Sequence, residues 1–316
     1  MRYPLNREIN ENCHKKCTKN RRREITTDGV CTEVYSVADN QIVRCVGDWA
    51  EQKIYHLIQY FGIFSNAMKN KWWGGINYIE ICSGPGRCIN RETGEEIDGT
   101  SLAIVNHKDV EKLNNIFFFD FDTDVVKTLN DRIKKSGVEK AEAFIGDYTD
   151  EKSISSVLES MIGKNSLNLV FIYKTYCIVH FSFIEEIKNK IENIDLIVNV
   201  ASGTDFNRNI GNVFLNREAY SKAYEKYRLF LNDDQYFASH ENMNLAKNNN
   251  FQELRLRFRD SYKTKLMTLG FKYFDFKKIK HYYDLVFVTR SKLALEFWKK
   301  ANMIEFNGQR LFPYNN

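Results

Sequence analysis

From Asp48 onward the apolar residues recur at helical spacing: Trp49, Ile54, Leu57, Ile58, Phe61, Phe64 and Met68 lie mostly three and four positions apart. Asp48 and Glu51 are placed as a capping box for that helix, and Trp72, Trp73, Gly74 and Gly75 end it. Beyond it the pattern alternates. Apolar runs at Tyr78 to Ile81, Ile116 to Asp120, Ala143 to Ile145, Leu169 to Tyr173 and Leu196 to Val200 predict strands, separated by helical runs near 101–113, 123–135, 151–163 and 181–192. Strands joined by helical crossovers predict a parallel, doubly wound α/β sheet. Tyr273 to Phe276 and Leu285 to Thr289 are joined by only KKIKHYY, which predicts a closing antiparallel hairpin.

Residues 203–252 interrupt the alternation with a polar, Asn-rich insertion just after the fifth strand. In such sheets ligands bind beyond the carboxyl ends of the strands, so this insertion either walls a substrate crevice or elaborates the surface. Phe258, Tyr262, Leu266 and Leu269 then form an apolar stripe closed by Gly270, with Arg255, Arg259 and Lys263 on another face.

The chain has 316 residues and a net charge of +5. An excess of that size sits at the start, where Arg2, Arg7, Lys15, Lys16, Lys19, Arg21, Arg22 and Arg23 face only Glu8, Glu11 and Glu24 within residues 1–24, so the remaining chain is close to neutral. Such an arm suits phosphate contacts with nucleic acid, or is a solvated tail. No apolar run approaches the roughly 20 residues of a membrane span, and the start lacks the apolar core of a signal peptide. A soluble, cytoplasmic protein is expected. An odd count of seven cysteines without an export signal argues for reduced thiols or metal ligands. Cys13, Cys17, Cys31 and Cys45 supply four thiolates, enough for a tetrahedral zinc site, or are independent free thiols. His107, His180, His240 and His281 have no partners at ligand or triad spacing.

The stretch YIEICSGPGRC, from Tyr78 to Cys88, concentrates the candidate chemistry. Glu80 lies in the first predicted strand and Ser83, Gly84, Pro85 and Gly86 form the turn after it. Asp120 and Phe121 end the second strand, while Asp147 and Tyr148 follow the third. Asp120 is suited to the hydroxyls of a ribose and Asp147 to an adenine edge. Asp122 and Asp124 suit helix capping. S-adenosylmethionine fits better than a dinucleotide, because G-x-G-x-x-G is absent and Gly86 to Asp120 exceeds the roughly 20 residues of that fingerprint.

The run WAEQKIYHLIQYF from Trp49, then YIEICSGPGR, DGTSLAI, FFFDFD and the ending LGFKYFDFKKIKHYYDLVFVTRSKLALEFWKKA together resemble the three-Cys-motif partner proteins over roughly 48–301. The resemblance implies a Rossmann-like class I methyltransferase fold, an S-adenosylmethionine site and a partner protein carrying a cysteine motif. It divides the chain into a basic Cys-containing segment (1–47), a methyltransferase-like domain (48–301) and a tail (302–316). One departure stands out: where the family pattern implies Asp-Pro after the fourth strand, this chain has Tyr173 and Lys174 in LVFIYKTYC. Lys is donor-only at neutral pH, so it cannot accept from an amino group as the Asp-Pro turn does. Either Tyr173, Lys174 and Tyr176 handle a different acceptor, with Tyr176 stacking on a base and Lys174 on a phosphate, or transfer has been lost. The expected activities are therefore methyl transfer to a nucleic-acid or nucleic-acid-associated substrate, or binding without catalysis alongside a partner.

Overall fold

A computed structural model describes residues 8–13, 17–173 and 177–310, with only the backbone of Glu151. Contacts divide the chain into two units, Met1–Gly146 with Phe297–Asn316, and Asp147–Glu296.

The first unit opens with β1 (Glu8–Ile9), α1 (Lys19–Ile25), β2 (Thr26–Thr27), β3 (Val30–Tyr35), β4 (Ile42–Val46) and α2 (Trp49–Met68). It continues through β5 (Ile76–Ile81), β6 (Arg87–Asn90), β7 (Glu95–Asp98), α3 (Thr100–Val105), β8 (Asn115–Asp120), α4 (Thr123–Ser136) and β9 (Ala141–Ile145). Six of its strands form one small sheet in the order β1-β7-β6-β4-β3-β2. The cysteine-bearing segment is thus tied to the hairpin that follows the glycine turn, through parallel pairing of Arg44 to Val46 with Cys88 to Asn90.

The second unit holds α5 (Glu151–Met161), β10 (Leu167–Ile172), α6 (Phe181–Lys190), β11 (Ile194–Val200), α7 (Asn207–Leu215) and α8 (Ser221–Leu231). Then come α9 (Asp234–Ala238), α10 (His240–Lys247), α11 (Phe251–Thr268), β12 (Tyr273–Ile279), β13 (Tyr283–Thr289) and α12 (Lys292–Ala301), the last crossing the boundary. In the larger sheet the first unit holds the order β5-β8-β9 and the second the order β12-β13-β11-β10. Its pairings β5·β8, β8·β9 and β10·β11 are parallel, and β13 runs antiparallel to both β11 and β12. This is the Rossmann-like order of class I methyltransferases, with the expected antiparallel hairpin. Every residue of β5, β10, β11 and β13 is buried, as strands covered on both faces require.

Local chemistry sets the boundaries. Asp122 caps α4 by accepting from Asp124 N and Val125 N, and Gly137 ends it at φ 74°. Two expectations are corrected. The capping box is not made: Asp48 already has helical φ and ψ and no side-chain cap bond, while Glu51 turns inward and accepts from Asn90 Nδ2 at 3.3 Å. The helix expected over 101–113 stops at Val105, because local bonds such as Asp109 N to His107 Nδ1 (3.1 Å) compete with helix continuation. The 203–252 insertion is helical, and its aromatics close on α11: Phe230 stacks on Tyr262 at 4.6 Å and Phe206 on Phe258 at 4.1 Å.

Candidate functional site

In the first unit, β5 and β8 pair in parallel, so their carboxyl ends deliver Glu80, the glycine turn and Asp120 to one place. Ser83 N donates to Phe119 O (3.0 Å) and Gly84 N donates to Asp120 Oδ2 (2.9 Å), which pins the turn onto β8. Cys82, Gly84 and Gly86 all take positive φ (64°, 67° and 93°). A Cβ on Gly86 would lie 2.9 Å from Leu102 Cγ, so α3 packs against the turn only because that residue is glycine. Pro85 O accepts from Arg132 Nη1 at 2.6 Å.

The carboxylates at this turn are buried, Glu80 at 0% and Asp120 at 3% exposure. Glu80 accepts from the Tyr78 hydroxyl (2.9 Å) and from Thr100 Oγ1. Burial pushes its carboxyl up to about 8, against the pull of those two hydrogen bonds and of Arg44. Phe121, just past Asp120, is exposed.

Arg44, from β4, is the group that sequence reasoning missed. Its Nη2 lies 3.9 Å from Asp120 Oδ2, and its guanidinium carbon would stand 3.2 Å from a Cβ on Gly84. It covers the turn as a cation beside an anion. Nothing in the short strand IVRCV marks this role, since its placement depends on β4 pairing with β6 some forty positions later.

The residues of the turn fit an adenosine-bearing cofactor. A buried carboxylate with acceptor capacity beyond its two main-chain donors, Gly84 N and Asp122 N, suits a ribose diol, and a turn without side chains admits a close ligand. Arg44 is the charge that a cofactor carboxylate would meet.

The other residues predicted for the cofactor and the acceptor belong to the second unit or lie outside the described residues. Asp147 is exposed, and its Oδ1 accepts from Thr149 N (2.8 Å) and Thr149 Oγ1 (2.7 Å); Tyr148 is half-buried. Tyr173 follows β10 rather than ending it, is 4% exposed and packs edge-on to Phe171 at 5.6 Å. Its carbonyl accepts from Asn199 Nδ2 at 3.3 Å. Lys174 and Tyr176 lie outside the described residues.

Cys13, Cys17, Cys31 and Cys45 converge on one cavity of about 20 Å³, which Arg22 and Arg91 also line. Burial pushes the Cys13 thiol up to about 11, and the neighbouring Cys45, Cys31 and Cys17 add to it. Among the described residues, no three Cys, His, Asp or Glu side chains stand in the arrangement of a formed metal site. Of the basic arm, Arg21 pairs with Glu33 at 2.7 Å and Arg22 donates to Cys17 O, leaving Lys19 and Arg23 exposed. Arg2, Arg7, Lys15 and Lys16 lie outside the described residues. No helix among the described residues is long and apolar enough to cross a membrane.

No protein-family model and no curated protein matches the chain. Solved structures are similar at low identity. A SAM dependent methyltransferase from Aquifex aeolicus aligns at 12% identity and TM-score 0.39, over 77% of this chain and 95% of that one. Magnesium protoporphyrin IX methyltransferase (ChlM) from Synechocystis PCC 6803 with bound SAH aligns at 10% identity and TM-score 0.39, over 77% and 86%. EvdMO1 aligns at 10% identity and TM-score 0.38 over 76% of this chain; the chain spans only 42% of that protein's length. At these scores the likenesses add nothing to the strand order.

Proposed function

We propose that the protein is an S-adenosylmethionine-dependent methyltransferase acting on a nucleic-acid or nucleic-acid-associated substrate. One observation carries the reading: a buried Asp120 carboxylate bonded to Gly84 N, at the carboxyl ends of adjacent parallel strands in a sheet of methyltransferase order. Asp120 would hold the ribose, the Gly84–Gly86 turn would lie against the cofactor, and Arg44 would meet its carboxylate. When bound, the cofactor supplies a sulfonium methyl whose transfer depends on alignment more than on a strong base.

Asp120→Asn is expected to weaken S-adenosylmethionine binding by about 1.5 to 3 kcal/mol, the range for a hydrogen bond to a charged group. Calorimetric titration of both proteins reads this directly, and equal affinities would remove Asp120 from the site. Methyl transfer is tested by incubating the protein and radiolabelled cofactor with RNA, DNA and protein extracts.

A second reading is a methyltransferase-fold binding protein that works with a partner, such as one carrying a three-Cys motif. What favours it is Tyr173, a buried aromatic where the resemblance implies an acidic acceptor-orienting group. Cofactor binding without label transfer to any extract supports this reading.

The cysteine cluster is proposed as a structural zinc site in a cytoplasmic protein. Four thiolates on one divalent ion leave two negative charges, and Arg22 and Arg91 on the same cavity match them. Purified protein is expected to carry roughly one equivalent of zinc, and chelation should melt the N-terminal sheet first. Metal-free protein with an unchanged thermal transition sinks the site.

A further inference from the structure

The second unit contains a cleft of about 390 Å³, within the usual range for a small-molecule site. Phe251, Arg255, Arg259, Phe276, Lys278 and Asp284 line it. The periodicities of two elements explain the composition. On α11, Leu254, Phe258, Tyr262 and Leu266 are buried, and the neighbouring stripe, about 100° round the helix, carries Arg255, Arg259 and Lys263 at intervals of four. On the edge strand β12, alternation puts Phe274, Phe276 and Lys278 on one side. The two rows meet: the Arg259 guanidinium stands 4.5 Å from the Phe276 ring centroid, and Lys263 Nζ stands 5.7 Å from that of Phe274.

The charges in the cleft are unevenly satisfied. Arg255 Nη2 donates to Ser202 Oγ (2.8 Å) and to both oxygens of Asp284 (3.1 and 3.0 Å), so Asp284 is already matched. Arg259 is held by its aromatic contact, and its Nε is buried with no hydrogen-bond partner among the described residues. Lys278 is exposed. Two cations in excess, one of them a guanidinium with no carboxylate partner among the described residues, are what a phosphate would satisfy. The aromatic part is equally built. Gly211 of α7 leaves room for the Phe251 ring, which would lie 2.6 Å from a Cβ there, so the ring is backed by the helix. Asn207 and Gln252 add amide donors and acceptors to the lining, the groups that read a base edge.

We propose that this cleft binds a nucleotide, its phosphate on Arg259 and Lys278 and its base against Phe251. The inference deepens the substrate reading above, and rests on it where the nucleotide belongs to a nucleic-acid strand. A free nucleotide presents the same phosphate and base.

The test uses the full chain and four probes: AMP, CMP, inorganic phosphate and a short 5′-phosphorylated single-stranded RNA labelled at its 3′ end. Wild type is compared with an Arg259→Gln, Lys278→Gln variant and with Lys164→Gln, an exposed charge loss elsewhere in the unit. The double variant should lose about tenfold or more in nucleotide or strand affinity, and its log-affinity against log-salt slope on RNA should fall by roughly 0.7 per lost phosphate contact. Lys164→Gln should match wild type. Mononucleotide binding as tight as RNA assigns the cleft to free nucleotides, and tighter RNA binding assigns it to a strand; either supports the proposal. Equal affinities in wild type and the double variant overturn it, as does a nucleotide bound no more tightly than inorganic phosphate. S-adenosylmethionine affinity measured on the same samples separates the two readings. Lost cofactor binding in wild type strikes the methyltransferase reading alone, whereas intact cofactor binding without nucleotide binding strikes this one alone.

Discussion

Arg132→Ala is expected to destabilise the protein by about 3 to 5 kcal/mol, the cost of breaking one side of a buried ion pair. Arg132 is 4% exposed on α4 and pairs with Asp39 through Nε (2.8 Å) and Nη2 (2.9 Å). Its Nη1 donates to Ile42 O (3.0 Å) and Pro85 O (2.6 Å). One guanidinium thus ties the N-terminal sheet to the glycine turn, and its loss strands a carboxylate and two carbonyls. Burial raises the Asp39 carboxyl, but the hydrogen bonds and charge of Arg132 outweigh it and hold the group below its usual range. Adding Asp39→Ala to Arg132→Ala should therefore cost less than the two single losses added together, since the double variant buries no orphaned charge. Denaturant midpoints measure all three variants. A loss under about 1 kcal/mol for Arg132→Ala would mean that the bridge is solvated or dispensable. Because Pro85 belongs to the turn, the variant should also bind S-adenosylmethionine more weakly.

The same residue shows where sequence reading stops. The strands of the larger sheet are legible because β5, β8, β10 and β11 are runs of apolar residues, and a strand covered on both faces has no other composition available. The hairpin of β12 and β13 is legible from its short connection. The N-terminal sheet is not: β3 reads half-exposed, with buried positions only at Cys31 and Val34, and β4 and β1 find β6 and β7 over long separations. Arg44 and Arg132 look like surface cations in the sequence, and only tertiary pairing makes them ligands of Asp120 and Pro85. The gathering of four cysteines could be suspected from their count. The half-helical contour of 101–113 and the inward turn of Glu51 could not, because a local side-chain bond decided the first and a tertiary bond to Asn90 the second. The cleft on α11 was half legible: its cationic stripe is periodic, but the phenylalanines opposite belong to another element.

The second large effect is on pH dependence. Glu80 is fully buried and its carboxyl titrates at about 8, raised by desolvation despite hydrogen bonds from Thr100 and Tyr78 and the charge of Arg44. An unfolded glutamate releases its proton near 4.3. Between those values the folded protein holds one proton more than the unfolded chain, so stability falls as pH rises, by about 1.4 kcal/mol per unit. The contribution is complete below the unfolded value and lost by about pH 8, roughly 5 kcal/mol in all. Asp98, also raised by burial, acts in the same direction, and Asp39 and Asp109 in the opposite one. The difference between wild type and Glu80→Gln isolates the single group: Gln keeps the shape and an acceptor for Tyr78 and Thr100 but cannot ionise. Unfolding free energies from pH 5 to pH 8 should fall more steeply for wild type than for Glu80→Gln, and parallel curves would show that Glu80 is already ionised in the fold. The proposed cofactor links this to function. S-adenosylmethionine carries a sulfonium and an ammonium, and a cation at the turn favours the ionised carboxylate. Binding should therefore release a proton and tighten as pH rises toward 8 in wild type, while Glu80→Gln should bind with a flat profile over the same range.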